Sequence, residues 1–346
     1  MRRFYYFVVS MMVAGTLTAG AQNYRESSPE IKPNTSLRPS KTVLLYPEGQ
    51  AAGKGISENG VEVTHGPAQD NGLTGSEIIK PSGNRSNIGD DARMDIYLPK
   101  KPNGQMVIIC PGGGYGFVSS FNEGVYVAEW MVEHGITACV LKYRMPNCHD
   151  QVPITDTQNA FRYCRYHAAE WGVRQIGIIG FSAGGHLAGW ASTMYVDKTT
   201  RPDFSVLVYP RVKLTAHEDN GTKLNLLGPE PKLEPGQRLP APMLAREVNL
   251  EHFSLASSVG PDVPSTLIAL SADDNSVPAD NSCDYYSALL ANKVPVELHV
   301  FPAGGHGWGF SAEKYVGKGN DKFSKYRPEF EAVLLRWLGE RLAEAG

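Results

Sequence analysis

The sequence lacks a dominant charge. Lys and Arg number 33 against 36 for Asp and Glu, for a net charge of -3. That balance excludes the basic surface a nucleic-acid partner requires. No acidic or basic run stands out, so charge does not point to a substrate. Metal-ligand patterns are also missing: the five cysteines form no CxxC pair, and no spacing suits a structural or catalytic metal. No metal or organic cofactor is therefore expected. Long apolar runs are confined to the N-terminus, and no internal repeat or low-complexity tract occurs.

The N-terminus carries the marks of an export signal. Arg2 and Arg3 give a positive start, Phe4 to Val13 is an apolar run, and Ala19-Gly20-Ala21 is a small-residue cleavage site. The run is too short to span a bilayer. Cleavage would make Gln22 the new N-terminus, with no membrane span remaining and a periplasmic or extracellular location. In that compartment some cysteines can oxidise, and the odd count leaves at least one free. Cys110 and Cys139 lie in apolar runs and read as buried small hydrophobes. Cys148, with polar neighbours, is the one expected to pair.

At 346 residues with 42% apolar content, the chain suits one large domain. Residues 1–21 read as the signal, 22–92 as a partly flexible N-terminal extension and 93–346 as the catalytic domain. Within 93–346, strands are expected at Arg93 to Leu98, Met106 to Cys110, Ile136 to Tyr143, Gln175 to Gly180, Phe204 to Tyr209, Ser265 to Ser271 and Val296 to Phe301. Helices are expected at Glu123 to His134, Thr155 to Trp171, Ala183 to Tyr195, and near 280–292 and 328–344. Several of these strands are unbroken apolar runs, as burial on both faces requires. The alternation predicts an α/β fold: a mostly parallel central sheet with helices on both faces. A Pro- and Gly-rich stretch at about 211–262 interrupts it and reads as an insertion: a lid or a wall of the site, or a plain surface excursion.

Gly180-Phe181-Ser182-Ala183-Gly184 fits G-x-S-x-G, between an expected strand and an expected helix. Such a turn needs glycine where side chains would clash, and it lifts the serine hydroxyl clear of the sheet edge. The following helix directs partial positive charge at the place where an oxyanion would form. Pro111-Gly112-Gly113-Gly114-Tyr115 follows an earlier strand and occupies the position of a glycine-rich oxyanion loop. The N–H groups of Gly113 and Gly114, with that of Ala183, can converge on one oxygen. Each such donor is typically worth about 3–4 kcal/mol in the transition state.

A nucleophilic serine needs a base, and chain order on such an elbow runs Ser, then acid, then His. Of nine histidines, four precede Ser182. His186 sits one helical turn past it and reads as a packing residue, and His217 and His252 fall in the insertion. His299 lies inside an expected strand. His306, in Gly304-Gly305-His306-Gly307-Trp308-Gly309, lies in a loop free to bend over the serine and is the expected base. Asp273 and Asp274 both follow the expected strand 265–271 and both qualify as the acid, the other one capping the turn. Asp280 reads as the N-cap of the next helix.

With these motifs together, the chain resembles the bacterial polysaccharide-deacetylating esterases, the acetyl xylan and feruloyl esterase-like branch of the α/β-hydrolase fold. The resemblance rests on Pro111-Gly112-Gly113-Gly114-Tyr115, Leu141-Lys142-Tyr143-Arg144, Gly180 to Ala188, Asp273-Asp274-Asn275-Ser276-Val277-Pro278 and Gly305-His306-Gly307. It covers about 93–346, more weakly from 41. It implies that the acid is Asp274, three residues before the Val-Pro pair. Cys110 departs from lipase-like relatives, which often carry His there.

The resemblance implies a serine esterase whose partner is an acylated plant polysaccharide or oligosaccharide, with acetyl groups on xylan foremost. Feruloyl esters, other acylated glycans and small peptides are the alternatives. Tyr115, Phe117, Phe121 and Trp308 flank the motifs, where they can stack on sugar rings. A reading of another class is a non-catalytic glycan-binding member of the fold. The complete Ser, Asp and His set speaks against it.

Overall fold

The computed structural model describes residues 31–46, 57–58, 61–62, 77–214, 221–227 and 253–344. The expected signal 1–21 and most of the expected insertion lie outside the described residues.

Eight strands form one sheet. In chain order they are β1 (Lys41–Leu44), β2 (Arg93–Tyr97), β3 (Gln105–Cys110), β4 (Thr137–Lys142), β5 (Gln175–Phe181), β6 (Ser205–Val208), β7 (Thr266–Ser271) and β8 (Val296–Phe301). Their spatial order is β1-β2-β4-β3-β5-β6-β7-β8. The two pairings of β2 are antiparallel, and every pairing from β4 through β8 is parallel. Strands β3 to β7 are buried along their whole length, which is why they read as apolar runs without alternation. Residues 41–44, assigned to the extension by sequence, are an edge strand of this sheet.

The crossover helices are α1 (Tyr126–Glu133), α2 (Gln151–His167), α3 (Ala183–Thr193), α5 (Asp280–Ala291) and the terminal α7 (Arg327–Glu344). Shorter helices are α4 (Gly221–Leu227), in the insertion, and α6 (Glu313–Val316). Two helix starts differ from expectation. The first crossover begins with a wide turn at Phe121–Val125, and regular helix starts only at Tyr126. Helix α2 begins at Gln151, ahead of the expected start at Thr155, so Asp156 lies well inside it. Asp156 is fully buried and pairs with the equally buried Arg144 at 2.7 Å. The charge compensates Arg144 rather than a helix end. Asp280 is likewise the first residue of α5, not its cap.

The sheet topology determines where chemistry can occur. Parallel strands β3, β5, β7 and β8 all end on the same edge. The loops after them carry Gly112 to Tyr115, Ser182, Asp273 and Asp274, and His306. In open α/β sheets the crevice beyond the strand C-termini is where ligands bind.

Candidate active site

Ser182 stands alone between β5 and α3 with φ 53° and ψ -119°. A β-carbon rarely adopts this conformation, and such strain persists only where the surroundings enforce it. The surroundings do. The Ser182 N–H donates to the Val208 carbonyl at 3.1 Å, and its carbonyl accepts from the N–H groups of His186 and Arg211. Gly184 shows why the motif needs glycine: a β-carbon there would lie 2.1 Å from the Cys110 carbonyl oxygen. The elbow is therefore pressed against the end of β3, which brings the serine beside the glycine loop.

His306 lies between the serine and the acid. Its Nε2 is 2.8 Å from Ser182 Oγ, and its Nδ1 is 2.7 Å from Asp274 Oδ2. An ionised carboxylate only accepts, so Nδ1 carries the proton and Nε2 is left to accept from the serine hydroxyl. The other Asp274 oxygen accepts the N–H groups of Ser276 and Val277, both at 2.8 Å. Burial alone would push the Asp274 carboxyl up. The His306 hydrogen bond and the Val277 and Ser276 N–H groups outweigh it and hold the carboxyl below the usual Asp range.

The two aspartates left open by the residue pattern thus have different positions. Asp274 faces the imidazole and also closes the turn. Asp273 caps no turn; its carboxylate accepts the Gly305 N–H at 2.8 Å, holding the loop that carries His306.

Opposite lies the glycine loop. Gly113 and Gly114 have φ of 137° and 60°. Neither their N–H groups nor that of Ala183 donates a hydrogen bond to another described residue. Helix α4 covers this loop: Asn225 Nδ2 donates to the Gly114 carbonyl at 2.8 Å. This part of the insertion therefore packs against the glycine loop. Among the described residues no His, Cys, Asp and Glu cluster is placed to hold a metal ion.

Four expectations need correction. Tyr115 is fully buried, and its hydroxyl lies 2.9 Å from His186 Nδ1. His186 Nε2 faces the Phe253 carbonyl at 2.9 Å, so Tyr115 is the donor and anchors the loop from below. Trp308 is also buried; its indole donates to Ser271 Oγ and its ring stacks on Phe323. Neither ring is available to a sugar, and Phe121 is buried too, which leaves Phe117 half-exposed beside the glycine loop. Cys148 is buried, and all five cysteines are free.

Sequence reasoning missed a second buried carboxylate. Glu123, in the wide turn before α1, accepts the Gly112 N–H on one oxygen at 2.7 Å and the Tyr209 hydroxyl on the other at 2.8 Å. Tyr209, at the end of β6, in turn accepts the Gly309 N–H at 2.8 Å. No local pattern marks these partners.

Sheet order, strained elbow and the Ser182–His306–Asp274 line define a member of the α/β-hydrolase class. The solved acetyl ester-xyloside bifunctional hydrolase from Caldicellulosiruptor lactoaceticus superposes with a TM-score of 0.60 at 25% identity, covering 88% of this chain and 98% of that one. A carboxylesterase from Lactobacillus plantarum gives 0.57 at 21% identity over 77% and 97%, a likeness of fold alone. The BD-FAE family profile matches residues 94–289, more than half of the chain, and the chain belongs to that family. It is 33% identical over 258 residues to an acetylxylan esterase of Xylanibacter ruminicola, covering 73% of this chain and 49% of that protein. An endo-1,4-beta-xylanase B of Butyrivibrio fibrisolvens is 30% identical over 235 residues, covering 63% and 33%. The chain thus spans half or less of the length of these two relatives.

Proposed function

We propose that this protein is an exported serine esterase that removes acetyl groups from xylan or its oligosaccharides through an acyl-enzyme on Ser182. The observation carrying the chemistry is the line from Ser182 Oγ to His306 to Asp274, with steps of 2.8 and 2.7 Å. The substrate class is supported by the acetylxylan esterase and xylanase relatives.

In this reading His306 Nε2 takes the Ser182 proton as Oγ attacks the ester carbonyl. Asp274 keeps the proton on Nδ1 and stabilises the imidazolium. The N–H groups of Gly113, Gly114 and Ala183 receive the tetrahedral oxyanion. His306 then protonates the leaving sugar hydroxyl. Water, activated by the same imidazole, releases acetate from the acyl-enzyme.

The test is labelling by a fluorophosphonate probe combined with acetate and ferulate release from acetylated and feruloylated xylan oligomers. Wild type labels and releases acetate, and Ser182→Ala does neither. Equal labelling of the two proteins overturns the mechanism; ferulate release without acetate release overturns the substrate. Export rests on Arg2, Arg3, the apolar run and Ala19-Gly20-Ala21. It predicts that N-terminal sequencing of protein recovered outside the cytoplasm begins at Gln22, and a retained Met1 refutes it.

A further inference from the structure

Glu123 is 4% exposed, and the chemistry above gives it no role. A carboxylate is expensive to bury, so its partners require an explanation. Both of its oxygens act as acceptors. One takes the Gly112 N–H, and a β-carbon on Gly112 would lie 2.9 Å from both that carboxylate and Ser182 Cβ. The other takes the Tyr209 hydroxyl. Tyr209 sits at φ 37° beyond β6, with its ring centroid 4.9 Å from that of His306. Its oxygen accepts the Gly309 N–H from the loop that carries His306.

We infer that Glu123 is a positioning residue for the reaction: it ties the glycine loop, the end of β6 and the histidine loop into one unit around Ser182. The inference rests on the serine-esterase reading. It supplies what that reading lacks, a support for the Gly113 and Gly114 N–H groups, which donate to no other described residue. Rigid support is what gives oxyanion donors their value, since they need no reorganisation as charge develops. Tyr209 is suited to the relay. Burial and the neighbouring Glu123 push its hydroxyl well above the usual range, so it stays a donor to the carboxylate.

The titratable groups facing the carboxyl are Tyr209, Tyr143, whose hydroxyl donates to the Pro111 carbonyl, and His306. From α7, Arg327 donates to the Gly309 carbonyl. Of these, His306 is the one whose charge changes during turnover in the proposed reaction.

Steady-state hydrolysis of p-nitrophenyl acetate by wild type, Glu123→Gln and Tyr209→Phe tests the inference, with each melting temperature recorded. For Glu123→Gln, kcat is expected to fall about 10- to 100-fold, a fraction of what removing an oxyanion donor costs, with KM nearly unchanged. The loss appears in kcat and not in KM, because the support acts on the transition-state donors and not on ground-state binding. Tyr209→Phe leaves Glu123 on Gly112 and shows a smaller loss in the same direction. Wild-type kcat in Glu123→Gln, or a loss carried by KM alone, overturns the inference. If Glu123→Gln does not fold, Tyr209→Phe decides: a lowered kcat supports the inference and an unchanged one refutes it. Should wild type neither label at Ser182 nor hydrolyse ester, the esterase reading falls and takes this inference with it. An active wild type matched by Glu123→Gln removes this inference alone.

Discussion

Two buried carboxylates flank the Ser182–His306 pair, Asp274 beyond β7 and Glu123 beyond β3. Each is 4% exposed, yet they are perturbed in opposite directions. Burial raises both. For Asp274 the His306 hydrogen bond and two backbone N–H groups reverse the effect, and its carboxyl lies below the ordinary value. For Glu123 the Tyr209 hydroxyl and the Gly112 N–H are too few, and its carboxyl lies above it. Equal exposure thus accompanies two kinds of acid: Glu123 lies deeper in the protein and has fewer donors, and both differences push it up relative to Asp274. In the proposed reaction Asp274 stays charged against an imidazolium. Glu123 is built to hold neutral groups in place and bears a net cost for doing so.

The largest expected effect separates Asp274 from its neighbour. Asp274→Asn leaves an amide where Nδ1–H needs a carboxylate, which favours the wrong tautomer. Activity is expected to fall about 10⁴-fold. Asp273→Asn keeps an oxygen to accept the Gly305 N–H and loses only the charge assistance of that bond, about 1 kcal/mol, so the loss is tenfold or less. Acetate release by the two variants measures both effects. A larger loss in Asp273→Asn would exchange the assignments. A loss in Glu123→Gln matching that of Asp274→Asn would erase the distinction between a triad acid and a positioning carboxylate.

The two sides of the serine were not equally legible in the sequence. The strands were readable because parallel strands buried on both faces leave unbroken apolar runs. The elbow was readable because its five residues are consecutive and strand and helix adjoin them. His306 followed from chain order. Asp273 and Asp274 could not be separated from the residue pattern itself, because the difference lies in which carboxylate the turn directs at the imidazole; the family resemblance chose Asp274. The Glu123 side was closed to such reading. Its partners Tyr209 and Gly112 are 86 and 11 residues away, and neither shares a helix or strand with Glu123, so no periodicity links them. The misplacement of Tyr115 and Trp308 has a related cause. Each aromatic has a polar tip, and a partner distant in sequence, His186 or Ser271, draws that tip inward. An aromatic beside a motif does not by itself reveal whether it faces the cleft or supports it.

The smallest expected effect is on stability, and it tests the comparison most directly because the two signs differ. The Asp274 carboxyl is lower in the folded state than in the unfolded chain, where it is about 3.9. Its stabilising contribution is therefore present above that value and is lost as pH falls through the folded value. The Glu123 carboxyl is higher in the folded state than its unfolded value of about 4.3. The folded protein binds the proton more tightly, so stability relative to Glu123→Gln falls as pH rises from about 4.3 through the raised value. Thermal unfolding of wild type, Asp274→Asn and Glu123→Gln between pH 3 and 7 should therefore show two opposite trends. On acidification wild type loses ground to Asp274→Asn but gains on Glu123→Gln. For a chain of this size a change of about 1 kcal/mol moves Tm by about 2 °C, so the differences are small but their directions are distinct. Trends of the same sign would mean that burial, and not the donor set, governs both carboxylates.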